Sequence, residues 1–273
     1  MGILHSGKHR ITEWVRPESR ALRHLTREIG QMPRHLDGRV RVWGWDLRFV
    51  DAASCVSAFD SIVVRRWLDF QSLRRDPTIL DCGANIGIAA LHFKNLYPAA
   101  RIIAFEPDHQ ICQVLRKNIE TNGAVGVDIL ERALWNRDGE MTFNRDGADG
   151  GHLVVEQDTA RDDRVKTVRL REFLKEPIDF LKIDIEGAEG QVLIDCGALL
   201  SNVKMMSLEF HTMFGRQQDL GEILSLLAQN GFRYYINSPG PWRHSNDYEG
   251  KTDSPFDQLL MISAQRTDIS IQR

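Results

Sequence analysis

The stretch ILDCGANIGIAAL, residues 79–91, constrains the chain more than any other. An apolar, strand-like run ends in an acid and passes through a turn of small residues into a helical pattern. That arrangement brings backbone close to a nucleotide-like ligand at the carboxyl edge of a parallel sheet. Gly83 and Gly87 allow positive φ and close approach. Asn85 stands where a third glycine would be expected and tolerates left-handed backbone. The spacing Gly83-x-x-x-Gly87 is not the G-x-G-x-x-G of a dinucleotide site. Asp81 at the turn would repel a pyrophosphate, yet suits a cationic ligand end such as the amino group and sulfonium of S-adenosylmethionine. The next strand ends Phe105-Glu106-Pro107, and an acid at that tip can accept hydrogen bonds from both hydroxyls of a ribose.

From residue 78 strand-like and helix-like segments alternate. Strands are expected at 79–82, 101–105, 127–130, 180–183, 205–210, 232–236 and 258–263, and helices at 86–96, 109–122, 188–196 and 220–229. Alternation of this kind implies an α/β fold with a doubly wound, mostly parallel sheet. The final strand follows its predecessor with no helix between them, which predicts an antiparallel last strand. Residues 78–273 form the main domain in this reading. Residues 1–77 form an extension of a basic helix, a hairpin in RVRVWGWDLRFVD and a helix near 61–71, packing on the core or covering the acceptor site. Between 137 and 176 a hairpin is expected around Asp138-Gly139, leading into the loop 146–151.

The formal charge of −3 over 273 residues gives no electrostatic case for a nucleic-acid partner. Cys55, Cys82, Cys112 and Cys196 are scattered without a CxxC pair, against a zinc site or disulfide scaffold and in keeping with a reducing compartment. No apolar run approaches the roughly 20 residues of a membrane span. The start MGILHSGKHR lacks a secretory h-region but matches a myristoylation pattern at Gly2 and Ser6. A soluble cytoplasmic protein is the expectation, with homo-oligomerisation left open.

ILDCGANIG, AFEP, DFLKIDIEGAEGQVL and SLEFH together resemble the FkbM family of S-adenosylmethionine-dependent methyltransferases, from residue 79 to 211. The resemblance implies a Rossmann-like class I methyltransferase fold with seven strands, and O-methylation, commonly of sugar hydroxyls in natural products or surface glycans. Carried onto this chain, Asp81, Gly83, Ala84, Asn85 and Gly87 would line the methionine side of the donor. Glu106, with Pro107 beside it, would hold the ribose, and Ala133 and Leu134 would lie on the adenine side.

A sugar hydroxyl is a poor nucleophile, so a base near the donor methyl group helps, by about 10²–10⁴-fold. Lys182 and Asp184 share one strand face, and Asp184 at the tip is the first choice as base or acceptor-positioning residue. Glu186 is weighed between catalysis and helix-dipole complementation, and Glu189 reads as a first-turn helix acid. Glu209 and His211 share a face of the next strand, with His211 a candidate proton acceptor. A divalent metal on Asp184, Glu209 and His211 is considered but not favoured. A small-molecule or glycan acceptor would be met by 146–151 with His152, by the aromatic loop 237–257, or by Trp43, Trp45, Arg65 and Arg66. The competing functions are an NAD-dependent oxidoreductase, disfavoured by the turn spacing and Asp81, and a non-catalytic module that binds the donor.

Overall fold

The computed structural model describes residues 16–154, 164–213, 218–238 and 256–266. The myristoylation-like pattern and most of the aromatic loop expected at 237–257 lie outside them. Among the described residues no helix is long and apolar enough to cross a membrane.

A helix α1 (Pro17–Ile29) leads to a hairpin of β1 (Gly38–Val42) and β2 (Trp45–Phe49). Trp43 and Gly44 both take positive φ, as the turn of a two-residue hairpin requires. Helix α2 (Ala52–Phe59) follows and continues as a π turn over Asp60–Val64. The helix expected near 61–71 therefore starts nine residues, about two and a half helical turns, earlier. Asp51 caps it by accepting the amide of Ser54 at 2.8 Å, and Ala52, Cys55, Phe59 and Val63 bury one stripe. Arg66 then adopts φ +62, which ends helical continuation.

The central sheet comprises β3 (Thr78–Cys82), β4 (Arg101–Phe105), β5 (Val127–Leu130), β10 (Ile178–Ile183), β11 (Val203–Met213), β12 (Phe232–Asn237) and β13 (Phe256–Arg266). Their spatial order is β12-β13-β11-β10-β3-β4-β5. The pairs from β11 to β5 are parallel, and β13 runs antiparallel to both its neighbours. The expected seven strands and reversed last strand are present. All six residues of β10 are buried, as befits a central strand covered on both faces. Helices α3 (Ile88–Leu96), α4 (His109–Thr121), α5 (Glu189–Cys196) and α6 (Leu220–Gln229) connect the strands.

A second sheet holds β6 (Ala133–Trp135), β7 (Gly139–Asn144), β8 (His152–Val154) and β9 (Arg164–Arg169), in the order β6-β9-β7-β8. The hairpin expected at Asp138-Gly139 does not form. Strand β9 lies between β6 and β7, with Thr167 opposite both Ala133 and Gly139, and the Asp138 carboxylate accepts the amide of Arg169 instead. The hairpin of this region is β7–β8, and residues 146–151 form part of its loop.

Two apolar clusters flank the central sheet. One gathers Leu80, Leu181 and Leu208 with α5, α6 and the second sheet. The other joins the amino-terminal elements to α3 and α4 through Leu25, Leu47, Phe49, Phe59, Phe93 and Leu115. Buried Asn118 ties these together: it accepts the amide of Arg48 and donates to the carbonyls of Arg48 and Ile86 at 2.8–2.9 Å. Trp43 and Trp45 pack edge-on to each other and to Phe59 in this cluster. Arg65 pairs with Asp60 and Arg66 with Asp69. Packing and local ion pairs thus account for four side chains read as acceptor contacts.

Candidate active site

The carboxyl ends of β3, β4, β10 and β11 open into one cleft, the usual ligand position for a sheet of this winding. Its floor is the turn after β3, where Gly83, Ala84 and Asn85 line the wall. Gly83 has φ +80, and a Cβ there would stand 1.7 Å from the carbonyl oxygen of Asp184. Only glycine permits this closeness of the β3 and β10 tips. Asn85 takes the left-handed conformation expected of it, φ +47, and its Nδ2 donates to the Ala148 carbonyl at 3.2 Å. That bond draws the 146–151 loop to the cleft, which Asp146, Ala148, Asp149 and Gly151 help to line.

Glu106 and Pro107, at the tip of β4, form the next wall. One Glu106 oxygen accepts the amide of Asn85 and the other the amide of Asp108, both at 2.9 Å. Burial raises this carboxyl group to about 7 despite the two amide donors. Ala133 and Leu134 of β6 also face the cleft.

Three residues expected at the ligand are placed elsewhere. Asp81 is fully buried beneath the turn, and neither carboxylate oxygen has a hydrogen-bond partner among the described residues. Its neighbour is Lys182 Nζ at 3.5 Å, an ion pair longer than a hydrogen bond. Burial raises the Asp81 pKa, with Lys182 opposing. Asp81 shares a sheet face with Lys182, its register partner on β10, but lies too deep beneath the turn to line the cleft, so it meets the donor's charge only through what it holds. Gly87 is the left-handed N-cap of α3, where a Cβ would fall 2.6 Å from Leu115 Cδ1; it admits α4 rather than a ligand. His211 likewise does not line the wall.

Lys182 is the hub of the site. Its ammonium donates to the Gly83 carbonyl at 2.6 Å, approaches that of Cys82 at 3.4 Å, and lies 3.4 Å from Asp184 Oδ2. Burial disfavours its charge, but Asp184, Asp81 and Glu209 outweigh that and raise its pKa. Lys182, Asp184, Glu186 and Glu209 all reach the cleft. Burial, reinforced by Asp184, raises the Glu209 pKa to about 8. Glu186 adopts φ +55, and burial lifts its carboxyl well above the usual range although His211 opposes this.

His211 has a side chain only 7% exposed, with Nδ1 3.1 Å from Glu189 Oε1 and Nε2 3.4 Å from Glu186 Oε2. Burial works against a charged ring, yet the Glu189 hydrogen bond and the charges of Glu186, Glu189 and Asp184 raise its pKa to about 10. A ring already protonated at neutral pH cannot serve as the proton acceptor considered for it. Glu189 is the first residue of α5, as read, but its carboxylate also accepts the amides of Ile185 and Gly187.

The wall that sequence reasoning missed comes from the amino-terminal elements. Ser54, Ser57 and Ser61 on α2 and the π turn face the cleft, with Trp67 beyond them. The helical stripe Ser54-x-x-Ser57-x-x-x-Ser61 behind the capping Asp51 was the available signal.

The Methyltransferase FkbM domain model matches residues 81–234. Methyltransferase sdnD of Sordaria araneosa is 33% identical over 162 residues, 46% of this chain and 62% of that protein. The chain thus spans less than two thirds of that relative's length. The 2-O-methyltransferase NoeI of Sinorhizobium fredii (strain NBRC 101917 / NGR234) is 28% identical over 190 residues, 61% of this chain and 77% of that protein. A solved structure of methyltransferase FkbM from Methylobacillus flagellatus KT aligns with 92% of this chain and 60% of its own, at 16% identity and a TM-score of 0.43. With the family model covering more than half of its residues, the chain belongs to the FkbM methyltransferase domain family.

Proposed function

We propose that this protein is an S-adenosylmethionine-dependent O-methyltransferase acting on a hydroxyl of a sugar or sugar-bearing small molecule. The observation that carries the donor assignment is Glu106. Each of its oxygens accepts one backbone amide, leaving each an acceptor position, and a carboxylate so presented matches the two hydroxyls of a ribose. The glycine turn beside it lines the cleft with Gly83 and Ala84 and presents backbone to the methionine end. When bound, the donor supplies a methyl group already activated on a sulfonium.

The chain's own residues then do three things. Lys182 fixes Asp184 at the cleft, so that its carboxylate orients the acceptor hydroxyl. Glu209, to which no other described side chain donates a hydrogen bond, would take the hydroxyl proton as the acceptor oxygen receives the methyl group. A base so placed contributes about 10²–10⁴-fold, and alignment the larger share. Ser57, Ser61 and Trp67 favour a polyhydroxylated ring as acceptor, since hydroxyls and an aromatic face suit its polar edge and apolar face. The name 2-O-methyltransferase, borne by NoeI, accords with an oxygen acceptor. In this reading residues 1–77 contribute acceptor recognition, and the four free, buried cysteines accord with a reducing, cytoplasmic setting.

Calorimetric titration with S-adenosylhomocysteine, and with NAD in parallel, tests the donor. Saturable binding of the former alone is expected; binding of NAD alone would overturn the assignment. A panel of methyl glycosides, scored by S-adenosylhomocysteine release, then tests the acceptor, and turnover confined to amine or thiol acceptors would refute O-methylation.

A further inference from the structure

We infer that Asp184, Glu186 and His211 form a binding site for one divalent cation at the mouth of β10 and β11. The site stands on its own geometry; its role in catalysis rests on the methyltransferase reading. One oxygen from each carboxylate and one imidazole nitrogen lie within 4.8 Å of one another. An ion bonding each at roughly 2.0–2.2 Å sets its ligand atoms about 3–3.6 Å apart, which His211 Nε2 and Glu186 Oε2 already meet at 3.4 Å, and the widest separation closes by about an ångström as the ion binds. Glu209, expected among the ligands, has its carboxylate 4.0 Å from the ring and is not one of the three.

Two observations outside the three ligands point to the same place. The first is the second shell. Glu189 is buried, anchored by the amides of Ile185 and Gly187, and holds His211 Nδ1, so that Nε2 is turned towards Glu186. A carboxylate behind an imidazole is how a ligating histidine is fixed in tautomer and orientation. The second is charge. Asp81, fully buried and without a hydrogen-bond partner among the described residues, faces the same Lys182 that touches Asp184. Asp81, Asp184, Glu186, Glu189 and Glu209 thus gather around one ammonium and one imidazole, and a cation that takes the place of the His211 proton meets acidic groups already assembled there.

Two carboxylates and an imidazole suit Mn²⁺ or Zn²⁺ better than Mg²⁺ or Ca²⁺, which prefer oxygen alone. Asp184 and Glu186 both line the cleft, so an ion there has open positions towards the acceptor. It would hold the acceptor oxygen beside Glu209 and favour loss of its proton.

Titration of metal-free full-length protein with MnCl₂, followed by the electron paramagnetic resonance of free Mn²⁺ and repeated calorimetrically with ZnCl₂, tests the site. One equivalent should bind, and Glu186→Gln and His211→Gln should each weaken binding at least tenfold while retaining S-adenosylhomocysteine affinity as evidence of folding. Absence of saturable binding of either ion to the wild type overturns the inference whatever the variants do, as does binding unaltered in both. Loss of S-adenosylhomocysteine binding by the wild type, with Mn²⁺ still bound, would instead refute the methyltransferase reading and leave the site standing.

Discussion

Replacing Glu106 by glutamine separates the ribose-binding role of this carboxylate from its structural one. In the wild type, burial raises Glu106 from 4.5 to about 7, so two opposite pH dependences follow. The empty fold favours the protonated group: its contribution to stability is present below pH 4.5 and lost as pH rises through 7. At about 1.4 kcal/mol per pH unit the loss is about 3 kcal/mol. Ribose hydroxyls donate to the ionised form, so ligand affinity changes the other way. For a site that binds only when the group is ionised, the dissociation constant of S-adenosylhomocysteine falls roughly tenfold between pH 6 and pH 8. Glutamine keeps the shape but turns an NH₂ towards either the Asn85 or the Asp108 amide, both donors. It also loses a charge-assisted bond to the ligand worth about 1.5–3 kcal/mol. We expect Glu106→Gln to weaken binding at pH 8 by roughly ten- to a hundredfold and to flatten both the affinity profile and the decline in melting temperature above pH 5. Calorimetry at pH 6 and 8, with thermal melts across the same range, reads both. A variant that keeps the wild-type slope in affinity would show that some other group carries the pH dependence.

Gly83→Ala should cost about 2–3 kcal/mol and abolish S-adenosylhomocysteine binding, because the new methyl overlaps the Asp184 carbonyl; a variant with ordinary denaturation midpoint and affinity would contradict the close approach. Lys182→Met leaves Asp81 buried without its counter-charge, an expected loss of about 3–5 kcal/mol. The double variant Asp81→Asn/Lys182→Met should recover much of it in urea melts, and simple additivity would disprove the coupling. Asn118→Ala removes three bonds between α4, β2 and the glycine turn, at about 2–4 kcal/mol in all. Hydrogen exchange should quicken first in the β1–β2 hairpin, and uniform protection there would mean that apolar packing alone docks it.

The order of elements from β3 onward was legible because each signal is local. Apolar runs of strand length, helical spacing and glycines at positive φ are written into neighbouring residues, and the lack of a helix between β12 and β13 was enough to predict reversal of the last strand. The donor side of the site shared this legibility, since Gly83, Asn85 and Glu106 sit at strand tips whose position follows from the alternation itself. The misreadings arose where a partner distant in sequence decides the outcome. Asp138-Gly139 looked like a hairpin turn, but β9, some 30 residues on, takes the bonds of both its strands. Asp81 looked like a ligand contact because its chemistry suits a cation, yet its cation is Lys182, a hundred residues away in sequence. His211 was read as a base from its place on a strand; Glu189 and Glu186, which keep it protonated, reach it only across the β10–α5 turn. By itself the sequence determined the winding of the sheet and the residue types at its carboxyl edge, because periodicity and turn chemistry act over a few residues. Which of those residues face the ligand and which hold one another was decided only by the tertiary structure, because burial and charge pairing depend on neighbours that the chain brings together from far apart.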